Sequence, residues 1–377
     1  MKRIILITLA ALMALQLNAQ QIKKGSIENV PHQGSYAPTF KSDGSNKRPL
    51  NIILMIGDGT GMSQITSGFY ANGGELTVLN LKHFGWVTTQ SADSFTTDSA
   101  ASGTAYATGQ KTYNNSVGMD LDHNPIENIP EKLIKQGIVS GVVSTDDLNG
   151  ATPACFFAHQ EHRRMTDEIW ADLPGSPLKY FAAGSKDVFE SRPAETRAAI
   201  QKEFAIVNSL NDHSADKAAR KGVLPPAVET GYIVDGRTDF LPVATRDAID
   251  FLKSHTEKRK GFFLMVEGAR IDKACHANDY PSAVKELLDF DQAIAEAIKF
   301  ADEDGNTLVI ISADHETGGL VIWDGNPEKG DMTGVYISGN HTPSPVPLFA
   351  YGPHAQDFMG VQGNEEVGQK ILKLLLK

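Results

Sequence analysis

The stretch N-I-I-L-M-I-G-D-G-T-G, residues 51–61, drives an apolar run into an acid flanked by glycines. Five successive apolar residues without alternation read as a strand buried on both faces, the habit of parallel sheets. Four further runs share it: IVSGVVST (138–145), GFFLMV (261–266), NTLVIIS (306–312) and VPLFAYG (346–352). Between them lie segments such as PVATRDAIDFLKSH and PSAVKELLDFDQAIAEAIKFADE, with apolar residues at helical spacing. Strands alternating with helices predict an α/β, doubly wound fold: a mostly parallel central sheet with helices on both faces. The polar stretches 165–240 and 320–340 are expected to lie outside that sheet.

In open α/β sheets, sites form beyond the carboxyl ends of the strands, and the polar residues here cluster there. Asp58 follows the first run; Asn149 and Thr152 follow the second; Glu267, Asp272 and His276 follow the third; Asp314 and His315 follow the fourth. GDGTG is not a dinucleotide loop, because Met62 stands where a third glycine is needed and Asp58 would repel a pyrophosphate. A carboxylate on a tight turn suits a cation better. Asp272 and His276 are four apart, on one face of a helix. Carboxylate plus imidazole suits zinc, and the strand-end Glu267 suits a harder ion. An acid-rich helix start would account for Asp272 alone. The Asp314–His315 pair is weak in isolation and gains from the other acid-rich strand ends. His341, in a Pro-rich loop, reads on its own as a surface histidine.

In FTTDSAASGTA (95–105), Ser99 stands at a predicted helix start, roughly 99–108, whose free amides and dipole favour an anion. The small residues after it are expected to let a phosphoryl group approach. Arg163, in ATPACFFAHQEHRR (151–164), is placed three helical turns after Thr152, from where it could clamp an anion bidentately. Asp98 would then orient that guanidinium.

Composition narrows the class. The 377 residues carry a formal charge of −11. Residues 1–19, with two basic residues, an apolar run and Ala19, read as a secretory signal peptide. Removing Lys2 and Arg3 with it takes the charge from −11 to −13, which disfavours nucleic acid as a partner. The reading is an exported protein, periplasmic or secreted, with no membrane span: a polar lead-in over 20–49, then a single catalytic domain over 50–377. Cys155 and Cys275 are expected to be free.

Taken together, NIILMIGDGTG, TTDSAASGTAYATGQKTYNNSVGMD, ATPA with its downstream Arg, FFLMVEGARIDKACH, TLVIISADHETGG and GNHT before VPLFAYGP resemble the alkaline phosphatase family, in family order over about 50–375. The resemblance implies a phosphomonoesterase using two Zn²⁺ and one Mg²⁺. Asp314, His315 and Ser99 would bind one zinc, with Asp58 bridging to the third metal. Asp272, His276 and His341 would bind the other zinc, and Thr152 and Glu267 would join Asp58 around magnesium. Ser99 would form a phosphoserine, Arg163 would clamp phosphoryl oxygens with Asp98 holding it, and Lys273 keeps a residue type tied to substrate binding in many bacterial members.

Two departures stand out. Gly150 occupies the position where members commonly carry an acidic or imidazole side chain, which implies weaker magnesium retention. The 316–340 insertion is short, so the homodimer that the family implies competes with a monomer. Alternatives are a phosphodiesterase of the same superfamily and a non-catalytic metal or phosphate binder. A sulfatase is excluded by the lack of a C/S-x-P-x-R motif, since SRPAE at Ser191 ends in Glu195.

Overall fold

The computed structural model describes residues 22–184, 186–257 and 260–376; the predicted signal segment 1–19 lies outside them. In chain order the strands are β1 (Lys23–Ile27), β2 (Asn51–Gly57), β3 (His83–Thr88), β4 (Val139–Ser144), β5 (Leu178–Ala183), β6 (Ala205–Val207), β7 (Lys221–Val223), β8 (Phe262–Gly268), β9 (Thr307–Ser312), β10 (Glu316–Thr317), β11 (Leu320–Asn326), β12 (Asp331–Tyr336), β13 (His341–Thr342), β14 (Val346–Tyr351) and β15 (Gly360–Gly363). Ten of them form one sheet in the order β15-β3-β14-β9-β2-β8-β4-β5-β7-β6. All its pairings are parallel except those of β14, which runs against both β3 and β9.

Alternate residues of the central strands feed two cores. From β2 and β8, Ile53, Met55, Leu264 and Val266 face one side, against the helices Phe240–Ser254 and Tyr280–Asp304. Ile52, Leu54, Ile56, Phe263 and Met265 face the other, against the helices Ser99–Thr108 and Asn364–Leu375. Two-sided burial is why these strands read as unbroken apolar runs. The long helix 280–304 starts where Asp279 accepts from the Ser282 N–H and ends at Gly305 with φ +66°, so both ends are capped.

One expectation is corrected. Residues 165–240 do not all leave the sheet: β5, β6 and β7 extend it, and Tyr180, Phe181 and Val223 are fully buried. The polar lead-in contributes β1, which pairs with β12 and buries Ile27. Within 320–340, β11 and β12 join β1 in a separate three-stranded sheet.

Candidate metal centre and nucleophile

Parallel β2, β4, β8 and β9 deliver Asp58, the Thr152 turn, Glu267 and the Asp314–His315 pair to one end of the sheet. The reversed β14 presents its leading loop, with His341, at that same end. Gly59 makes the crowding possible. It has φ +73°, and a Cβ there would lie 2.8 Å from Asp272 Cα, so only glycine fits the turn.

His276, Asp272 and His341 form one cluster. His276 Nε2 lies 3.3 Å from Asp272 Oδ2, and His341 Nε2 lies 3.7 Å from Asp272 Oδ1. His276 Nδ1 donates to the Gly339 carbonyl (2.7 Å) and His341 Nδ1 to the Thr97 carbonyl (2.9 Å). A carbonyl can only accept, so each Nδ1 carries the hydrogen and, in the neutral ring, each Nε2 turns a lone pair inward. Those two Nε2 atoms are 3.1 Å apart. Two facing lone pairs beside a carboxylate are repulsive alone and fit a shared cation.

Asp58, Asp314 and His315 form a second, buried cluster. His315 Nε2 is 3.2 Å from Asp314 Oδ2, 3.5 Å from Asp58 Oδ1 and 3.2 Å from Ser99 Oγ. Thr317 donates its hydroxyl to Asp272, so it accepts from His315 Nδ1, which again leaves Nε2 free to ligate. The Asp314 Oδ1 atom accepts from the backbone N–H groups of Gly59 (3.1 Å) and His315 (3.0 Å). Its Oδ2, together with Asp58 Oδ1, is buried with no hydrogen bond among the described residues. Thr152 Oγ1 lies buried beside Glu267, also without a hydrogen bond of ordinary geometry.

The electrostatics agree with this geometry. Burial, then the charges of Asp314, Asp272 and Glu267, push Asp58 well above the usual carboxylate range. Burial and then Asp146 push Glu267 up to about 8. His341 is pushed down to about 4 by burial and by His315, while the hydrogen bond to Asp272 raises His276 to about 9. Buried acids and inward-facing imidazoles in this concentration need positive charge among them. The residues therefore fit divalent cations: nitrogen plus oxygen donors at the two histidine clusters, and oxygen alone around Glu267 and Thr152.

A family model described as alkaline phosphatase matches residues 49–192 and 239–329. The chain belongs to the alkaline phosphatase family. It is 36% identical over 315 residues to alkaline phosphatase 4 of Bacillus subtilis, covering 78% of this chain and 67% of that one. It is 30% identical over 406 residues to the Escherichia coli alkaline phosphatase, covering 87% and 86%. Among solved structures, the alkaline phosphatase of the Antarctic bacterium TAB5 superposes with a TM-score of 0.82 at 38% identity, covering 87% of this chain and 99% of that one. A variant of the TAB5 enzyme with a histidine replaced by glutamate holds Mg in its M3 site. Alkaline phosphatases are metal-dependent hydrolases of phosphate monoesters, so this chain is a phosphatase.

In this chain Asp98 is the N-cap of the helix Ser99–Thr108, accepting from the Ala101 N–H at 3.0 Å. Its Oδ1 also accepts from the Asn115 N–H, and its Oδ2 accepts from Arg163 Nη1 at 3.0 Å. Arg163 arrives by a different route from the one expected. The helix carrying Thr152 ends at Ala154, so three helical turns do not separate the two residues. An isolated bridge between Val117 and Gln160, and the Arg163 N–H on the Asn115 carbonyl, return the chain to the site instead.

The small residues after Ser99 also serve another purpose. The whole helix 99–108 is buried, Ser102 Oγ donates to the Asp314 carbonyl, and a Cβ on Gly103 would lie 3.1 Å from Cys155 Sγ. They allow close packing of the helix against its neighbours. Cys155 and Cys275 are free and buried, with thiols pushed up to about 12 by burial.

Lys273 pairs with Asp146, a residue the sequence reading passed over although it stands in the adjacent acids Asp146–Asp147 at a strand end. Thr317, which orients both His315 and Asp272, was missed too; its only signal is its place two residues after His315.

Proposed function

We propose that this chain is an exported phosphatase, periplasmic or secreted, that hydrolyses phosphate monoesters through a phosphoserine at Ser99, with two zinc sites and one magnesium site. Asp314, His315 and Ser99 would hold one zinc; Asp272, His276 and His341 the other; Asp58, Thr152 and Glu267 the magnesium, with Asp58 shared toward the first zinc. Bound there, such cations lower the pKa of a coordinated hydroxyl and neutralise charge on the reacting oxygens.

Ser99 Oγ, its proton passed to solvent, attacks phosphorus in line with the ester oxygen, the P–O bond to the alcohol breaks, and the alcohol leaves with a proton from solvent. Water then cleaves the serine ester, returning the Ser99 hydroxyl and releasing inorganic phosphate. Arg163 holds phosphoryl oxygens, its guanidinium fixed by Asp98 and kept charged: burial would depress its pKa, but Asp98 outweighs that. In a monoester all three equatorial oxygens are free for such contacts, whereas in a diester one is esterified, so a clamped anion favours the monoester. Export rests on residues 1–19; among the described residues no helix is long and apolar enough to cross a membrane. We take 50–377 as one catalytic unit with a short 316–340 insertion.

The observation that carries this reading is the pair of inward-facing imidazole lone pairs at 3.1 Å, next to a second acid and histidine cluster in reach of Ser99 Oγ. Release of the aryl alcohol from an aryl phosphate monoester and from an aryl phosphate diester, measured on protein of known zinc and magnesium content, tests it. The monoester should be turned over in a metal-dependent way and the diester far more slowly; equal rates on both would point to a diesterase.

A further inference from the structure

Gly150 immediately precedes the short helix that carries Thr152, and its φ of −54° is open to any residue. What restricts it is room. A Cβ there would lie 2.7 Å from Asp146 Oδ2 and 2.9 Å from the Asp147 carbonyl. The volume that a side chain at position 150 would enter is therefore already filled by the carboxylate of Asp146.

Asp146 is held at its backbone and at its carboxylate. The Asp146 N–H donates to Ser144 Oγ (2.8 Å), and the Ser144 hydroxyl donates to Glu267. Asp146 Oδ1 accepts from Lys273 Nζ, on the helix Arg270–Ala277 that also carries Asp272 and His276. After burial, the charge of Asp146 is the largest influence on Glu267. Close by, Thr152 Oγ1, on a residue 1% exposed, and Asp58 Oδ1 have no hydrogen bond of ordinary geometry among the described residues. One lysine cannot balance this many acids, and the unpartnered oxygens are the ones a hard cation would take.

We propose that Asp146 is the acidic side chain that retains the divalent cation at the Asp58–Thr152–Glu267 site, occupying the space that Gly150 leaves open, with Lys273 fixing its orientation. The proposal rests on the magnesium reading of that site. It changes the expectation attached to Gly150: the chain has moved the acid four residues upstream rather than lost it, and the glycine is what makes room for it. Outer partners of this kind typically contribute about 10–100-fold to metal affinity.

The test is magnesium binding by the zinc-loaded protein, followed by calorimetric titration and by metal analysis after dialysis. Asp146→Asn is nearly isosteric and still accepts a hydrogen bond from Lys273, so an unchanged zinc content and far-ultraviolet circular dichroism would show an intact fold. Its magnesium affinity should fall about 10–100-fold. Gly150→Asp should bind magnesium no more tightly than wild type, because Asp146 is already there, and Asp146→Ala/Gly150→Asp should recover part of what Asp146→Ala loses. Asp146→Asn binding magnesium as tightly as wild type, or Gly150→Asp binding it more tightly, would overturn the proposal. Wild-type protein that binds no magnesium would overturn it together with the reading beneath it, and the wild-type titration separates the two failures.

Discussion

The Nε2 atoms of His276 and His341 face each other at 3.1 Å while each ring donates its Nδ1 hydrogen to a backbone carbonyl. As neutral rings they relieve the contact only by giving up one of those hydrogen bonds, and without a cation the remaining route is protonation of His276, which the hydrogen bond to Asp272 raises to about 9. Stripping divalent cations with a chelator should therefore leave a folded but less stable protein, with a lower melting temperature that zinc restores. His341→Ala should lose one of two zinc equivalents on metal analysis. Retention of both would remove His341 from the site.

Asp98 joins the helix cap to Arg163, so its two functions can be separated. Arg163→Ala should lower kcat/KM for a monoester by on the order of 10²-fold, with little effect on stability. Asp98→Asn keeps an oxygen for the Ala101 N–H and should retain the cap while loosening the arginine. Asp98→Ala should lose about 0.5–2 kcal/mol of stability as well. Urea unfolding measured beside kinetics would show whether the two effects divide in this way.

Gly59 separates the two histidine clusters by the width of a bare backbone. Gly59→Ala would place a methyl group 2.8 Å from Asp272 Cα at φ +73°. Left-handed strain of about 1–2 kcal/mol and overpacking of about 1–3 kcal/mol should add. The melting temperature should drop and zinc content should fall; a variant with full zinc and unchanged stability would contradict this account of the turn.

Away from the metals, His159 Nε2 lies 3.0 Å from Glu131 Oε1, and its Nδ1 bonds the Gly118 carbonyl. Burial alone would depress His159, but Glu131 and Gly118 outweigh it and raise the imidazole above 6.5. Burial alone would raise Glu131, yet His159 and the Asn128 N–H hold it below 4.5. The histidine contribution is complete below pH 6.5 and is lost as pH rises through the raised folded value. The Glu131 contribution is present above 4.5 and is lost as pH falls through the lowered one. The stability difference between wild type and His159→Gln should thus be largest between about pH 4.5 and 6.5 and shrink toward pH 9. Urea unfolding across that range checks the sign, and a difference that grew with pH would refute it.

Much of the site was legible because parallel strands bring their carboxyl ends together, so an acid after each buried run was already a spatial statement. Asp58, Glu267 and Asp314 belong to that class, and Asp272 with His276 needed only helical spacing. His341 did not, because a loop histidine reaches the site only through the reversal of β14, which no local pattern records. Arg163 was named for the right place on the wrong path, since the helix after Thr152 breaks within a turn. The strands β5, β6 and β7 were lost because two of them are three residues long and sit in polar surroundings. Asp146 acquires its meaning only from Lys273, 127 residues away, and from the space that Gly150 vacates.

The central claim is that Ser99 carries the phosphoryl group. Zinc- and magnesium-loaded protein mixed with an aryl phosphate monoester, quenched in acid and mapped by mass spectrometry, tests it most directly. The account predicts phosphate on the peptide containing Ser99 in wild type, and neither that adduct nor appreciable turnover in Ser99→Ala. Full turnover by Ser99→Ala would contradict it.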